Sequence, residues 1–452
     1  MLGKRSCPVL RMGSKNLARS FVGLGLGLSI GVMSATAANA QIVPDNRNIF
    51  DSDDQRRGSV FDSDIPRGET VRSRARPELD ALGVRGGGFL VFPSLTGGLS
   101  YNDNIFATDG NETDDFIFQI QPNLDVRSDW NNHEVALSVG GDVGFFADNT
   151  DENFEDVRAS ASGRLDIKRS TIARGNIGFA REHEERSDPD DVGGTEPTIF
   201  RSYDAGASIR HQFNRVSVSG GGAVRYLDYD DTPTSTVDIN NDDRDRLVVS
   251  PSVRVGYEII PSYEAFVRVD GEFTRYDTSR DDAGFKRDSE GFDIVGGAAV
   301  DLTGLLFGDF FVGYRQRHFD DSRFDTLRGP VVGSKLTWIP TGLTTVTLDV
   351  NSEIVESTQS GSSGYQSTAA TVGVDHELLR NLILGGEASI RYDDYEGISR
   401  EETNYGFGVS ADYLWNRYLT LGAAYNFRYR ESDAANQDLI RNIVSVFVKA
   451  QL

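Results

Sequence analysis

The sequence predicts an all-β chain that closes into an antiparallel transmembrane β-barrel of about eighteen strands, with sixteen the alternative. Short turns lie on one side and long acidic loops on the other. Three features lead there. Stretches across residues 89–452 alternate apolar and polar side chains with period two, the signature of a sheet whose faces meet different solvents. Their connections alternate short and long. Beyond the N-terminal region, no run approaches the roughly eighteen apolar residues that a membrane helix needs.

Composition narrows the field. The 452 residues carry 46 Lys+Arg against 69 Asp+Glu, 48 Gly and a single Cys, with a mean hydropathy of -0.38. A soluble chain of this length would make two or three domains of about 150 residues. The acid excess argues against nucleic acid as a partner. Abundant Gly and few helix formers argue against a helical bundle.

The N-terminus points to export. Lys4, Arg5, Arg11, Lys15 and Arg19 stand without any acid before an apolar stretch at residues 21–32. A small-residue tail then ends in Ala38-Asn39-Ala40. This predicts a signal peptide over residues 1–40, with Ala38 and Ala40 marking the cleavage site. Removing the five cations changes the formal charge from -23 to -23 - 5 = -28. Cys7 leaves with the signal, so the mature chain has no disulfide to rely on.

Residues 41–88 form a leader, expected to be disordered and periplasmic. To about residue 85 it is rich in Asp, Arg, Ser and Pro and has no apolar periodicity. FDSD occurs at 50–53 and again at 61–64, followed by Arg67, Arg72, Arg74 and Arg76. Two readings stand: a short segment that docks a periplasmic partner, or a solvated lead-in to the first strand. It is too short to be a plug domain.

The alternation is clearest near the end of the chain. Leu419, Leu421, Ala423, Tyr425, Phe427 and Tyr429 share one face; Thr420, Gly422, Ala424, Asn426, Arg428 and Arg430 share the other. The charged face needs water, and the apolar face runs long enough for a tilted strand to cross a bilayer. Short turns are expected near Asn131-Asn132, Arg169-Ser170, Asn214-Arg215, Ile260-Pro261, Gly304-Leu305, Pro340-Thr341, Leu379-Arg380 and Asn416-Arg417. Long acidic loops separate them, such as EERSDPDDVGGTEP at 184–197 and DDTPTSTVDINNDDRD at 230–245. Eight short and nine long connections give eighteen strands and bring both chain ends to the periplasm. Short turns recur 36 to 46 residues apart, a spacing also found in soluble propellers. Propeller blades hold four strands per repeat, whereas two long strands with one charged face fill each repeat here.

Trp130, Trp338 and Trp415 all fall just before short turns on the apolar parity, as a periplasmic aromatic girdle would. Tyr101, Phe179, Tyr226 and Tyr392 lie towards the other ends and are candidates for an outer girdle. Pro122, Pro251 and Pro330 each stand eight residues before Trp130, Ile259 and Trp338. Lacking a ladder donor, each should mark a bulge or the end of a neighbouring strand.

Motifs for covalent or metal chemistry are missing from the text. The histidines are scattered, and there is neither a G-x-S-x-G nor a P-loop, so no catalytic residue, metal ligand or cofactor is assigned. His183 and His318 fall near the outer rim beside acids, the sole hint of a rim-located hydrolase. The acids of residues 240–245 match no Ca²⁺ loop and read as solvated loop charge. The candidate functional residues are the charges on the inward parity: Arg158, Arg164, Asp166, Arg254, Glu264, Arg268, Asp270, Glu272, Glu387, Arg391, Asp393, Arg428 and Arg430. An Arg on the lipid side at mid-bilayer would cost about 2–4 kcal/mol, which enforces this parity. A barrel of this size holds an aqueous lumen unless salt bridges or an inward-folded loop fill it, and both outcomes stay open.

The texts PELDALGVRGGGFLVFPSLTGGLSYNDNIFATDG and QPNLDVRSDWNNHEVALSVGGDVGFF resemble the beta-barrel porin 2 type of Gram-negative outer-membrane protein. The similarity is densest over residues 77–146, and its hairpin style continues to RNIVSVFVKAQL. The resemblance implies a cell outer-membrane location and a porin-like channel for hydrophilic solutes, with a link to exopolysaccharide export. It implies as partners outer-membrane lipid and lipopolysaccharide, the barrel-assembly machinery and a periplasmic polysaccharide-export protein. The alternative is a non-conducting structural or partner-docking barrel. The chain departs from the usual aromatic terminus by ending in Leu452.

Overall fold

The computed structural model describes residues 68–452 apart from 303, 358 and 360. The signal peptide with Ala38 and Ala40, the FDSD pair and Arg67 therefore lie outside the described residues. A short strand β1 (Val84–Gly86) precedes eighteen long ones. The first nine are β2 (Phe89–Asn102), β3 (Asp115–Ser128), β4 (Glu134–Phe146), β5 (Phe154–Lys168), β6 (Thr171–His183), β7 (Ile199–Phe213), β8 (Val216–Tyr229), β9 (Arg246–Ile260) and β10 (Tyr263–Tyr276). The rest are β11 (Ser289–Leu302), β12 (Leu306–Phe319), β13 (Leu327–Thr341), β14 (Thr344–Val355), β15 (Gly364–Leu379), β16 (Leu382–Glu396), β17 (Glu401–Asn416), β18 (Leu419–Ser432) and β19 (Leu439–Gln451).

Each strand pairs antiparallel with its sequence neighbours, and β19 returns to β2 from Ile443↔Asn102 to Gln451↔Ser94. Closure leaves no free edge of the kind that lipid would leave unsatisfied. The strands obey the period-two pattern. On β19, Ile440, Val444, Val446 and Val448 are exposed, whereas Arg441, Ile443, Ser445, Phe447 and Lys449 are buried on the inner face.

Eight short turns join the strands at one end. Asn214 (φ 54°) and Ser262 (φ 72°) take the left-handed conformation that lets the chain reverse within two residues. The turn expected at Pro340-Thr341 falls instead at residues 342–343, because β13 continues through Pro340. That proline occupies a register shift between Trp338 and Thr341, where a missing N–H costs no ladder bond.

Trp130, Trp338 and Trp415 are 45, 50 and 61% exposed at the short-turn end, on the outer face. At the long-loop end, rings pair sideways around the wall: Tyr101–Phe116 at 5.2 Å, Phe179–Tyr203 at 5.3 Å and Tyr405–Tyr429 at 5.9 Å between centroids. Both sets suit the headgroup boundaries.

The prolines behave differently from one another. Around Pro122 and Pro251 the ladder omits the rungs on one side and then resumes in the same register, so neither marks a bulge nor a strand end. Gly141 stands opposite Pro122, and Gly222 and Gly271 flank Pro251; a Cβ on Gly271 would lie 3.2 Å from the Pro251 ring. The neighbours are thinned to admit the ring, which keeps the register intact. Pro330 does lie where pairing has ended. The β13–β14 ladder stops at Ser334↔Val350, although β13 continues to Leu327 and β14 to Val355. The outer part of β14 leaves the wall, and the Gln366 side chain of β15 donates to Pro330 O at 3.3 Å across the breach.

Candidate functional site: the lumen and its restraints

The thirteen inward charges predicted from sequence lie on the face opposite the exposed apolar residues, and most meet partners there. Arg254 contacts Glu264 at 2.5 Å, and Glu264 also meets Arg210 (3.6 Å) and Ser217 Oγ (3.2 Å). Arg268 pairs with Asp270 at 2.6 Å, Arg391 with Asp393 at 2.9 Å, and Arg164 with Asp166 at 3.3 Å. Arg158 bonds Glu182, and Glu272 bonds Arg317. Glu387 and Arg428 occupy inward positions on β16 and β18, Gly408 and Gly406 being their partners on β17. Arg254 and Arg268 also lie flat over Phe266 (4.1 Å) and Phe311 (4.4 Å), covering an apolar patch that Val295 and Val331 complete. A guanidinium over an aromatic ring and paired with a carboxylate is held in a fixed position, and both of these are buried on the inner face.

Three segments enter this lumen. The first is the leader. Residues 68–83 are placed as a strap along the inner rim of the short-turn end, with Val71 and Arg76 buried and Pro77, Glu78 and Leu82 exposed. Gly68 abuts Gly304, Val71 N donates to Thr345 Oγ1 at 2.9 Å, and Gly83 N donates to Leu452 O at 3.2 Å. The strap thus passes from the β11–β12 turn round to β2, where β1 adds to the sheet. Arg72 donates to Asp375 (2.9 Å) and Asp412 (2.6 Å). Glu377 gathers Arg76 at 2.8 Å, Arg74 at 3.5 Å and Arg380 at 3.7 Å. Arg76 is 1% exposed, and its guanidinium also donates to Val71 O at 2.8 Å. The two carboxylates hold the Arg72 guanidinium protonated against its burial. This overturns the expectation of a disordered leader for residues 68–83. A charged segment with no apolar periodicity can still order when fixed acids await its arginines, which local composition does not reveal.

The second is the β6–β7 loop, residues 184–198. Ser187 O accepts from Arg430 at 3.1 Å, and Glu185 meets Arg441 of β19 at 3.6 Å. Pro189 O accepts from Gln359 (2.8 Å) and Asp190 from Ser357 (2.8 Å), both in the β14–β15 loop eight strands away around the barrel. The loop therefore spans the lumen. Arg244 of the β8–β9 loop, buried against Glu184 at 3.0 Å, props its root. Residues 240–245 are in this respect structural rather than merely solvated. Burial, then the charges of Glu184 and Asp190, push the Asp188 carboxyl up to about 7.

The third is the outer part of β14 with residues 356, 357, 359 and 361–363. Ser352 O accepts from Arg315 at 3.2 Å. Glu356 accepts from Tyr276 at 2.7 Å and meets Arg246 at 3.1 Å and Arg317 at 3.4 Å. Ile354 packs on Phe319, Phe324 and Leu327. Sequence reasoning missed the strap anchors Asp375, Glu377 and Asp412, as well as Glu356. The signal for the anchors was present: these acids end the inward parity of β15 and β17 just before short turns, opposite an arginine cluster in the leader.

One part of the short-turn mouth is left clear. A groove of about 320 Å³ opens there between Arg169, Arg210, Gln212, Glu258 and Glu264, under β5 to β10. At the rim, His183 binds Asp156 (3.0 Å) and stacks on Phe154, while His318 meets Thr326 at 3.2 Å. Among the described residues, no three His, Cys, Asp or Glu side chains gather as a metal site would require.

A closed eighteen-stranded barrel with an apolar outer band, aromatic girdles and a charged lumen is an outer-membrane β-barrel of the porin class. The family described as "Putative beta-barrel porin 2" matches over residues 76–452, and the chain belongs to it. No curated protein matches the chain. Among solved structures it is similar to Pseudomonas aeruginosa OpdL, at 11% identity and a TM-score of 0.40, covering 80% of this chain and 98% of that one. It is also similar to a BenF-like porin from Pseudomonas fluorescens Pf-5, at 11% identity and a TM-score of 0.42, covering 80% and 99%. Pseudomonas aeruginosa OccK2 (OpdF) gives 11% identity, a TM-score of 0.44 and coverage of 80% and 98%.

Proposed function

We propose that the protein is a passive, partly gated channel for hydrophilic solutes across the outer membrane. The observation that carries this reading is the unequal filling of the lumen. At the short-turn mouth the strap crowds one side, while the charged groove beneath β5 to β10 stays clear. The alternating Arg and carboxylate rows beside it would strip and replace solute hydration in steps, so small polar or charged solutes suit it. Purified folded barrel in planar bilayers should give discrete single-channel currents, with ion selectivity read from the reversal potential in a salt gradient. Silence from folded protein would sink the proposal.

A second reading has its own support: three inward segments could hold the lumen shut, leaving a structural or docking barrel. Removing residues 41–83 separates the two, since a strapped pore conducts more without them and a scaffold stays silent while losing its partner. Exopolysaccharide export draws its support from the family resemblance. A polymer would need the strap displaced, so that cargo predicts current block by polysaccharide only in the strapless barrel.

A further inference from the structure

Outside the barrel, on the face turned to lipid, a groove of about 560 Å³ runs across β9 to β12. Its size falls within the usual range for small-ligand sites, about 300–1,000 Å³. It begins near mid-wall at Val253 and Val269, continues past Phe273 and Phe292, and ends at the outer rim beside Glu290, Gln316 and His318. Its depth has a cause in the sequence. Pro251 and Gly271 face outward where the β9–β10 ladder omits its rungs, so even the inward-facing Ser252 and Asp270 line the groove floor. A side chain at 271 would fill the space.

The rim end carries cations on the same outward parity. Exposed Arg275 stands 3.8 Å from Glu290 and is braced by the Thr274 and Ser289 carbonyls, each at 2.9 Å. Exposed Arg328 is the ladder partner of Gln316. Arginines on a lipid-facing surface are costly unless they reach the headgroup layer, where they meet anionic groups. Here they flank the polar mouth of an apolar slot that starts at mid-membrane. We propose that this groove is a lipid site, seating an acyl chain of a phosphorylated outer-leaflet glycolipid, the lipid A part of lipopolysaccharide, with its phosphate between Arg275 and Arg328. The chain is already in hydrocarbon, so the groove holds it by shape and close packing, and chain fit and phosphate pairing act together.

The test uses the whole barrel in detergent micelles, checked for folding by its heat-modifiable migration. Purified lipid A or neutral phosphatidylethanolamine is titrated in and bound lipid counted by native mass spectrometry. Lipid A should bind in a single preferred copy, and Gly271→Trp should abolish that copy. Arg275→Ala with Arg328→Ala, which leaves the ladder untouched, should weaken it at least about tenfold while phosphatidylethanolamine binding is unchanged. Equal retention of both lipids by the unaltered barrel, or lipid A binding unaffected by the arginine pair, would overturn the site.

Discussion

The sector from β5 to β10 and the sector from β12 to β18 are built from the same kind of strand, yet at the short-turn end only the second is crowded from within. In the first, charges pair across neighbouring strands, as Arg254 does with Glu264, and the short-turn mouth is clear. In the second, Asp375, Glu377 and Asp412 pair with the strap, while Arg315 and Arg317 hold the displaced β14 end. Alternation alone builds a wall. What narrows the passage comes from segments outside the alternating pattern, docked on charges that the wall would otherwise expose to water.

The largest break in that contrast should come from the strap. Arg76 and Glu377 are both buried, and removing one partner of such a pair typically costs about 3–5 kcal/mol. Glu377→Ala strands three arginines together, so the strap should leave the mouth. Single-channel conductance should rise about twofold or more, and trypsin should cut after Arg72 or Arg74 in folded protein, Arg76 being protected by Pro77. Unchanged conductance together with cleavage would show that the strap lies beside the path rather than in it.

A smaller gain is expected from Glu356→Ala, which releases Tyr276, Arg246 and Arg317 at once. Val346, Leu348, Val350 and Ile354 keep one parity, and the register set by Ser334↔Val350 would place Ile354 opposite Pro330 on the lipid face. The freed strand can therefore close the breach in register. Hydrogen exchange at residues 351–355 should slow, and conductance should rise by less than in the strap variant. Faster exchange would mean that the end frays instead.

Acidity should act on the spanning loop. With its pKa raised to about 7, Asp188 is protonated in the docked loop, while a released loop would ionise it near the usual value of about 4. Between those values the docked state holds the extra proton, so docking is favoured at low pH and weakens as pH rises through about 7. Conductance should increase modestly from about pH 5 to pH 8, and Asp188→Asn should flatten the profile. A rise that survives the substitution would place the sensor elsewhere.

These sectors were unequally legible. Period two, turn spacing and tryptophan placement identified eighteen strands and the inward parity of residues such as Arg268 and Asp393, because each is a local consequence of one sheet facing two solvents. The strap was not legible as structure: residues 68–83 have no periodicity, and their order depends on Asp375, Glu377 and Asp412, some 300 residues away in sequence. The departure of β14 was hidden for the opposite reason, since its alternation continues through Ile354 although its rungs do not. Pairing partners within the lumen, such as Arg317 with Glu272 and Glu356, depend on which strands close together and on which segment turns inward.

The smallest effect is expected in the clear sector. Pro251→Ala supplies an N–H where the β9–β10 ladder omits its rungs, beside glycines that leave room for the chain to approach. One added ladder bond is worth about 0.5–1.5 kcal/mol net, offset by the greater freedom that Ala gives the unfolded chain, about 0.4–1 kcal/mol. The unfolding midpoint should therefore move little, in either direction. Conductance should stay unchanged, because Pro251 faces lipid and Glu258, the groove-lining charge on its own strand, stands a further seven residues along it. A large change in current would mean that the thin wall at Gly271 yields when solutes pass. The clear sector would then be a moving part like its opposite, and the contrast between the two would fail.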